Sequence, residues 1–302
     1  MGKRPTAASK LGLGGHSYIQ ELGNDPWPSP EEQRMLVSTC LDSGVTLFDT
    51  TYYQERVALG ERLRALGRRD EAEITAWNFF KQPGREDQLV PYTPYERHHL
   101  DIILSELQTD RVGILVIHAH DDVEGLRREM RLVADWMAEG RVRQAALGMA
   151  ELRHVRSLPD GHPIGHVFAP YNAFNRAALP VFEEAKRRGM AAVAMSPFVR
   201  GWKLDEIGGD AASVADILLR WVASQDAVDR VVVAMRRPEW VRANLRSLER
   251  GPLTTEAQAR LAAWVERASR ARKTAVAGRS PNSSKAEARR TPDTDRRPSG
   301  RP

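Results

Sequence analysis

Apolar residues along this chain gather in short runs that alternate with longer amphipathic stretches. The short runs, rich in Val, Ile, Leu and Phe, predict buried strands over residues 10–14, 45–49, 73–77, 112–118, 143–148, 166–171, 191–196 and 230–234. Between them apolar positions recur at helical spacing, as at Val57, Leu59, Leu63 and Leu66 after the second run. Ser29-Pro30-Glu31-Glu32 combines a helix N-cap, a first-turn proline and a capping-box acid, and Asp121 precedes Glu124 in the same relationship. Eight strands alternating with helices predict an α/β protein, a parallel (β/α)8 barrel closed by an extra C-terminal helix. A doubly wound sheet is the alternative. It is disfavoured because no G-x-G-x-x-G follows a strand.

Charge changes this picture only at the end of the chain. Of 45 basic and 40 acidic residues, nine and three lie after Arg270, so that stretch has a net charge of +6 and the rest is almost neutral. Residues 273–302 are rich in Pro, Ser, Arg and Asp and predict a disordered basic tail. The barrel is expected over residues 11–272, after a flexible stretch over residues 1–10. With the excess charge confined to a tail, no specific nucleic-acid partner is expected. No apolar run approaches the roughly 18 residues of a membrane helix, and the basic start lacks the apolar core of a secretory signal. A single cysteine, Cys40, leaves no internal disulfide and suits a cytoplasmic protein.

In a barrel of this kind ligands meet the carboxyl ends of the strands. Those ends supply Gly15 and His16, Asp49 through Tyr53, Trp77 and Asn78, and His118 through Asp122. They also supply Tyr171 and Asn172, Ser196 through Trp202, and Met235 through Pro238. Converging histidines, tyrosines, an aspartate and a Ser-Pro turn are an active-site inventory, and a small-molecule substrate is expected.

At these positions the chain resembles the aldo-keto reductases. Gly44-Val-Thr-Leu-Phe-Asp-Thr-Thr51 resembles the family's G-x-x-x-(F/I)-D-T-A segment, followed by Leu59-Gly60. Residues 112–118 resemble the strand ending in its active-site histidine, and residues 140–148 its G-K-(I/V)-R-x-(I/L)-G-V-S run. Tyr171-Asn172 with Arg176 resembles Y-N-x-x-x-R, and Ser196-Pro197 through Gly201 and Leu204 resembles S-P-L-x-x-G-x-L. Arg236, Arg237 and Asn244 resemble the closing segment that holds the adenosine end of NADP.

The resemblance implies an NADP-dependent oxidoreductase acting on a small carbonyl or related substrate. It implies that Asp49 and His118 are catalytic, with Tyr52 or Tyr53 as proton donor because the family's tyrosine spacing falls on Gln54. Cofactor contacts are expected from Gly15, Asn172, Ser196, Pro197, Arg200, Gly201, Arg236, Arg237 and Asn244. Substrate contacts are expected from His16, Trp77, Asn78, His120 and Trp202. The family's lysine has no match, since its strand here ends Thr75-Ala76-Trp77, and Met195 and Phe168 replace two nicotinamide contacts. Without a nearby cation a phenol is a sluggish acid near neutral pH, so the tetrad is expected to be modified. Two further readings stay open. One is a non-redox enzyme on the same barrel, either metal-dependent, with the metal on Asp49, His118 and His120, or an acid–base lyase or isomerase. The other is a catalytically silent nucleotide-binding protein.

Overall fold

A computed structural model describes residues 6–21, 26–85, 88–199 and 201–277. Eight parallel strands close into a barrel in the order β1 to β8. They are β1 Leu11–Leu13, β2 Leu47–Thr50, β3 Glu73–Trp77, β4 Val112–His118, β5 Val142–Gly148, β6 Ile164–Pro170, β7 Ala191–Met195 and β8 Arg230–Val233. Every strand lies within two residues of its expected place, and β1 pairs with β8 to close the ring. The doubly wound alternative is excluded by this closure.

The α-helices are α1 Ala7–Lys10, α2 Pro30–Asp42, α3 Tyr53–Leu66, α4 His99–Leu107, α5 Val123–Ala138 and α6 Leu152–Arg156. They continue as α7 Leu179–Arg187, α8 Trp202–Ile207, α9 Ala211–Ala223, α10 Pro238–Glu249 and α11 Thr255–Ala277. Ser29 caps α2 through the expected capping box. At α5 the cap is Asp122, which accepts from the Gly125 N–H, rather than Asp121. Helix α1 lies inside the stretch expected to be flexible, and α11 runs five residues past the expected boundary at 272. Residues 278–302 lie outside the described part of the chain. The chain divides after Leu261 into two units: the barrel, and one whose described part is the remainder of α11. Among the described residues no helix is long and apolar enough to cross a membrane.

Two apolar layers hold the barrel together. Between strands and helices lies a continuous buried cluster including Phe48, Leu59, Leu63, Leu115, Val133, Trp136 and Phe182. Inside the ring Leu47, Trp77, Ile114, Val116, Ala146, Phe168, Val193 and Val232 form a second. This alternation follows from strand geometry, in which successive side chains point to opposite faces. At the amino ends of the strands Arg230 pairs with Glu73. At the carboxyl ends Asp49 of β2, Trp77 of β3 and Met195 of β7 mark where the candidate site forms.

Candidate active site

Strand β2 delivers Asp49 to the top of the barrel, where it is almost fully buried. Its Oδ1 accepts from Thr75 Oγ1 at 2.5 Å and from the Trp77 indole N–H at 2.9 Å. Both partners belong to β3, which is registered beside β2. Burial pushes the Asp49 carboxyl up to about 6, opposed by these two hydrogen bonds; nearby Glu55 raises it further and His16 lowers it. The strand that offers a lysine in the resembled family thus gives this carboxylate a neutral indole donor.

Trp77 also fills the barrel mouth. Its ring meets Phe168 edge-on at 5.9 Å and lies across Gly148, where a Cβ would fall 2.1 Å from the indole. The glycine there makes room for the ring. Trp77 is buried beneath Asp49 and does not line the cavity described below, so it forms the floor rather than a substrate contact.

A buried cation lies just outside the ring. Arg56 on α3 has no exposed side-chain surface and pairs with Glu106 at 2.5 Å. It donates to the carbonyls of Thr51 (3.2 Å), Trp77 (3.0 Å) and Phe79 (2.8 Å). It thereby pins the chain leaving β3 to the start of α3. Its neighbour Glu55, also fully buried, turns toward the site. Glu55 Oε2 accepts from the N–H groups of Thr51 (2.6 Å) and Tyr52 (3.2 Å), and its Oε1 lies 2.8 Å from His16 Nδ1.

An aromatic wall continues from there. Tyr52 stacks beside His16 at 6.2 Å and meets Phe79 edge-on at 5.2 Å. Phe79 adjoins both Tyr92 and His118. Tyr92 lies flat on His118, with centroids 4.2 Å apart, and the His118 Nδ1 is hydrogen-bonded to the Ala119 carbonyl. Burial lowers the His118 pKa below the usual imidazole value, which keeps the ring neutral at pH 7. Tyr53 instead faces Lys81, whose ammonium lies 6.0 Å from its ring centroid.

Several expected contacts take other roles. Asn78 is fully buried, with its carboxamide between the His118 N–H and the Thr93 carbonyl, so it braces the β3 exit rather than meeting substrate. His120 Nε2 lies 2.7 Å from Glu129 and its ring stacks on Tyr92. Asp49 is held by Thr75 and Trp77, and no group of three or more His, Cys, Asp or Glu capable of holding a metal occurs among the described residues. The metal set of Asp49, His118 and His120 is therefore discarded. Asn172 ties the β6 exit to the Ser196 carbonyl (3.2 Å) and does not reach the cavity. Arg200 and the side chain of Trp202 lie outside the described residues.

From the barrel centre a cavity of about 500 Å³ runs outward between the ends of β1, β7 and β8 and helices α8, α9 and α10. Its inner end is formed by Gly15, His16, Asp49, Thr51 and Met195. Ser196, Pro197 and Gly201 border its middle, and Ser196 holds a left-handed backbone (φ 56°), a strained conformation for a non-glycine residue. Small residues Ala211, Ala212 and Ala215 leave its outer wall open to a ligand. The outer end is formed by Arg236, Asn244, Ser247 and Trp240. Arg236 is buried and donates to the carbonyls of Ile19 (2.7 Å) and Gln20 (3.1 Å). Arg237 is exposed, with its guanidinium 5.7 Å from the Trp240 ring. The two arginines therefore diverge, one lining the cavity and one at its rim, instead of forming a joint clamp.

Glu55, Arg56, Thr75, Phe79 and Tyr92 are among the site residues that sequence reasoning missed. Glu55 had a legible signal, an acid three residues after Tyr52 at a helix start, which is the capping-box spacing. Tyr92 had none, because it stands in the irregular connection between β3 and α4.

Comparison with known proteins agrees with this architecture. The family model described as "Aldo/keto reductase family" matches residues 10–212. No curated protein sequence matches the chain. Among solved structures it is similar to the aldo-keto reductase AKR11C1 from Bacillus halodurans in its holo form. That match has 18% identity and a TM-score of 0.70, and covers 84% of this chain and 91% of that one. It is also similar to an aldo/keto reductase from Klebsiella pneumoniae in complex with NADP and acetate, with 18% identity and a TM-score of 0.66, covering 83% and 89%. At that identity the likeness concerns the fold, while the family match spans about two thirds of the sequence. The chain belongs to the aldo/keto reductase family.

Proposed function

We propose that this protein is an NADP-dependent oxidoreductase that reduces a small carbonyl compound with a modified set of catalytic groups. The observation that supports it best is one continuous cavity joining the buried Asp49 and the half-buried His16 to Arg236 and Asn244. Its volume lies in the range of small-molecule sites, and its length offers separate places for a reacting end and an anchoring end. The Klebsiella relative, described in complex with NADP, supports the same ligand class.

The residues present suit the cofactor's outer half well. Arg236 and Asn244 line the anchoring end, and Arg237 at the rim gives a 2′-phosphate a cation with forked donor geometry. Gly15, Ser196, Pro197 and Gly201 border the path between the ends. At the inner end Met195, Val232 and the Asp49 carboxyl line the cavity, so the nicotinamide would rest on a largely apolar floor. When bound, the cofactor supplies a hydride to the substrate carbonyl carbon. The substrate carbonyl would sit at the cavity's inner end, among His16, Asp49, Thr51 and Met195, with Tyr52 packed beside His16. Asp49, buried and without a cation among its hydrogen-bond partners, is a poor stand-in for the family's carboxylate, because it stabilises no ammonium. We place the activity in the cytoplasm, where the buried free thiol of Cys40 suits a reducing environment.

Tryptophan quenching on titration with NADPH tests this reading. Micromolar binding is expected, tighter than for NADH, with Arg237→Ala removing most of the preference. Absence of NADPH binding at millimolar concentration would sink it.

A further inference from the structure

We propose that His16, oriented by Glu55, delivers the proton in this barrel, in place of the phenol and ammonium found elsewhere in the family. The inference rests on the carbonyl-reductase reading. Gln54 stands where the family spacing expects the phenol and Trp77 beside Asp49 where it expects the ammonium; of the adjoining phenols, Tyr52 packs against Phe79 and Tyr53 faces Lys81, and neither lines the cavity.

His16 lines the inner end of the cavity beside Asp49 and Thr51. Its Nδ1 lies 2.8 Å from Glu55 Oε1, and the Glu55 side chain is wholly buried while the imidazole is a quarter exposed. The other Glu55 oxygen accepts two backbone N–H groups at the start of α3, which fixes the carboxylate in place. A carboxylate there accepts the Nδ1 proton, so proton exchange belongs to Nε2. In this arrangement a buried acid sets the tautomer and orientation of a working imidazole.

Local backbone is shaped around the pair. A Cβ on Gly15 would lie 2.0 Å from Glu55 Oε2 and 2.9 Å from the Asp49 carbonyl, so only glycine allows the β1 exit to approach this closely. The other imidazoles serve elsewhere. His118 is kept neutral by burial with Nδ1 on the Ala119 carbonyl, and His120 is bound to Glu129.

The step balances simply. As the carbonyl carbon gains the hydride and its electron pair, the electrons of the C=O π bond move to oxygen. That oxygen takes the proton from Nε2 of the His16 imidazolium, an alcohol forms, and the ring, left neutral with its proton on Nδ1 toward Glu55, is reprotonated at Nε2 from solvent. Glu55 stays ionised and acts as a positioning residue.

The test uses the full chain with NADPH and an aromatic aldehyde, 4-nitrobenzaldehyde, as probe. His16→Ala is expected to lower kcat by roughly 10²–10⁴, with the NADPH dissociation constant, read by tryptophan quenching, changed by less than about three-fold. Added imidazole should restore at least about ten-fold of the lost rate. His16→Gln, which preserves a donor toward Glu55, should show the same loss with an unchanged melting temperature, and Glu55→Gln a loss of about 10–100-fold. A His16→Gln variant within about three-fold of wild type would overturn the proposal. So would a loss in His16→Ala that imidazole fails to recover, which assigns the ring a packing role. A wild-type protein that binds no NADPH overturns the carbonyl-reductase reading itself and this inference with it.

Discussion

The Trp77 indole nitrogen lies 2.9 Å from Asp49 Oδ1, so a neutral donor faces the buried carboxylate where the family resemblance places an ammonium. A hydrogen bond from an indole orients the carboxylate but cannot neutralise it. Two consequences follow. Burial, with no cation hydrogen-bonded to it, holds the carboxyl up at about 6, and the proposed proton donor is a different residue, His16.

The pH dependence of stability reports the first. Asp49 has a folded value near 6 against an ordinary value of 3.8. Between those limits the folded state binds the extra proton, so stability is greatest below about pH 4 for this group and is lost as pH rises through 6. The loss amounts to about 3 kcal/mol at neutral pH. Both donors use Oδ1, an atom Asn retains, so Asp49→Asn should keep the hydrogen bonds and remove the charge. Urea denaturation of the variant should show higher stability than wild type at pH 7, with the difference vanishing near pH 4. A variant less stable than wild type at pH 7 contradicts the buried-charge account.

Trp77 itself is expected to be costly to truncate. Trp77→Ala opens a void among Phe168, Val116 and Ala146 and should lose about 3–5 kcal/mol. Gly148→Ala, which drives a methyl into the same ring, should lose about 1–3 kcal/mol. Chemical denaturation measures both, and an unchanged midpoint for Gly148→Ala would show that the indole has another resting place.

Arg56 offers a sharper contrast. Arg56→Met leaves the Glu106 carboxylate and three carbonyl oxygens without their buried donor, at a cost of about 3–5 kcal/mol. Glu106 still has some exposed surface, so Glu106→Gln should cost less than half as much. A double-mutant cycle on thermal unfolding separates the pair from the carbonyl contacts. Similar losses in both single variants would place the energy in the ion pair alone.

Gly15→Ala probes the approach of β1 to α3. The new methyl must displace the Glu55 carboxylate, so the His16 contact lengthens while the α3 cap weakens. Expected are a lower melting temperature and a loss of aldehyde reduction at least as large as in Glu55→Gln. Retention of full activity would separate Glu55 from the function of His16.

The barrel was legible because its strands are apolar runs and its helices have a regular polar face; Val112–His118 and Val123–Ala138 need nothing but periodicity to be read. Asp49 and His118 were legible by resemblance. The partners of the site were not. His16 and Glu55 stand 39 residues apart and meet only because β1 and α3 converge above the barrel, a contact with no period. Arg56 looks like one more solvated helix charge until its burial is seen. Asn78 and His120 looked like ligand-facing groups because strand-end position says nothing of whether a neighbour, here Thr93 or Glu129, already occupies them. Arg236 and Arg237 read as a pair, but their side chains part, one entering the cavity and the other lying on Trp240.

The fit of Trp77 over Gly148 constrains the routes by which this protein can change. A slimmer side chain at position 77 would leave unfilled space beside the glycine. A larger residue introduced first at position 148 would collide with the indole. Each residue therefore sets the size that the other can take: while the indole stays at position 77 only glycine is accommodated at 148, and a bulkier residue on β5 is open to this barrel only after the ring on β3 has been made smaller.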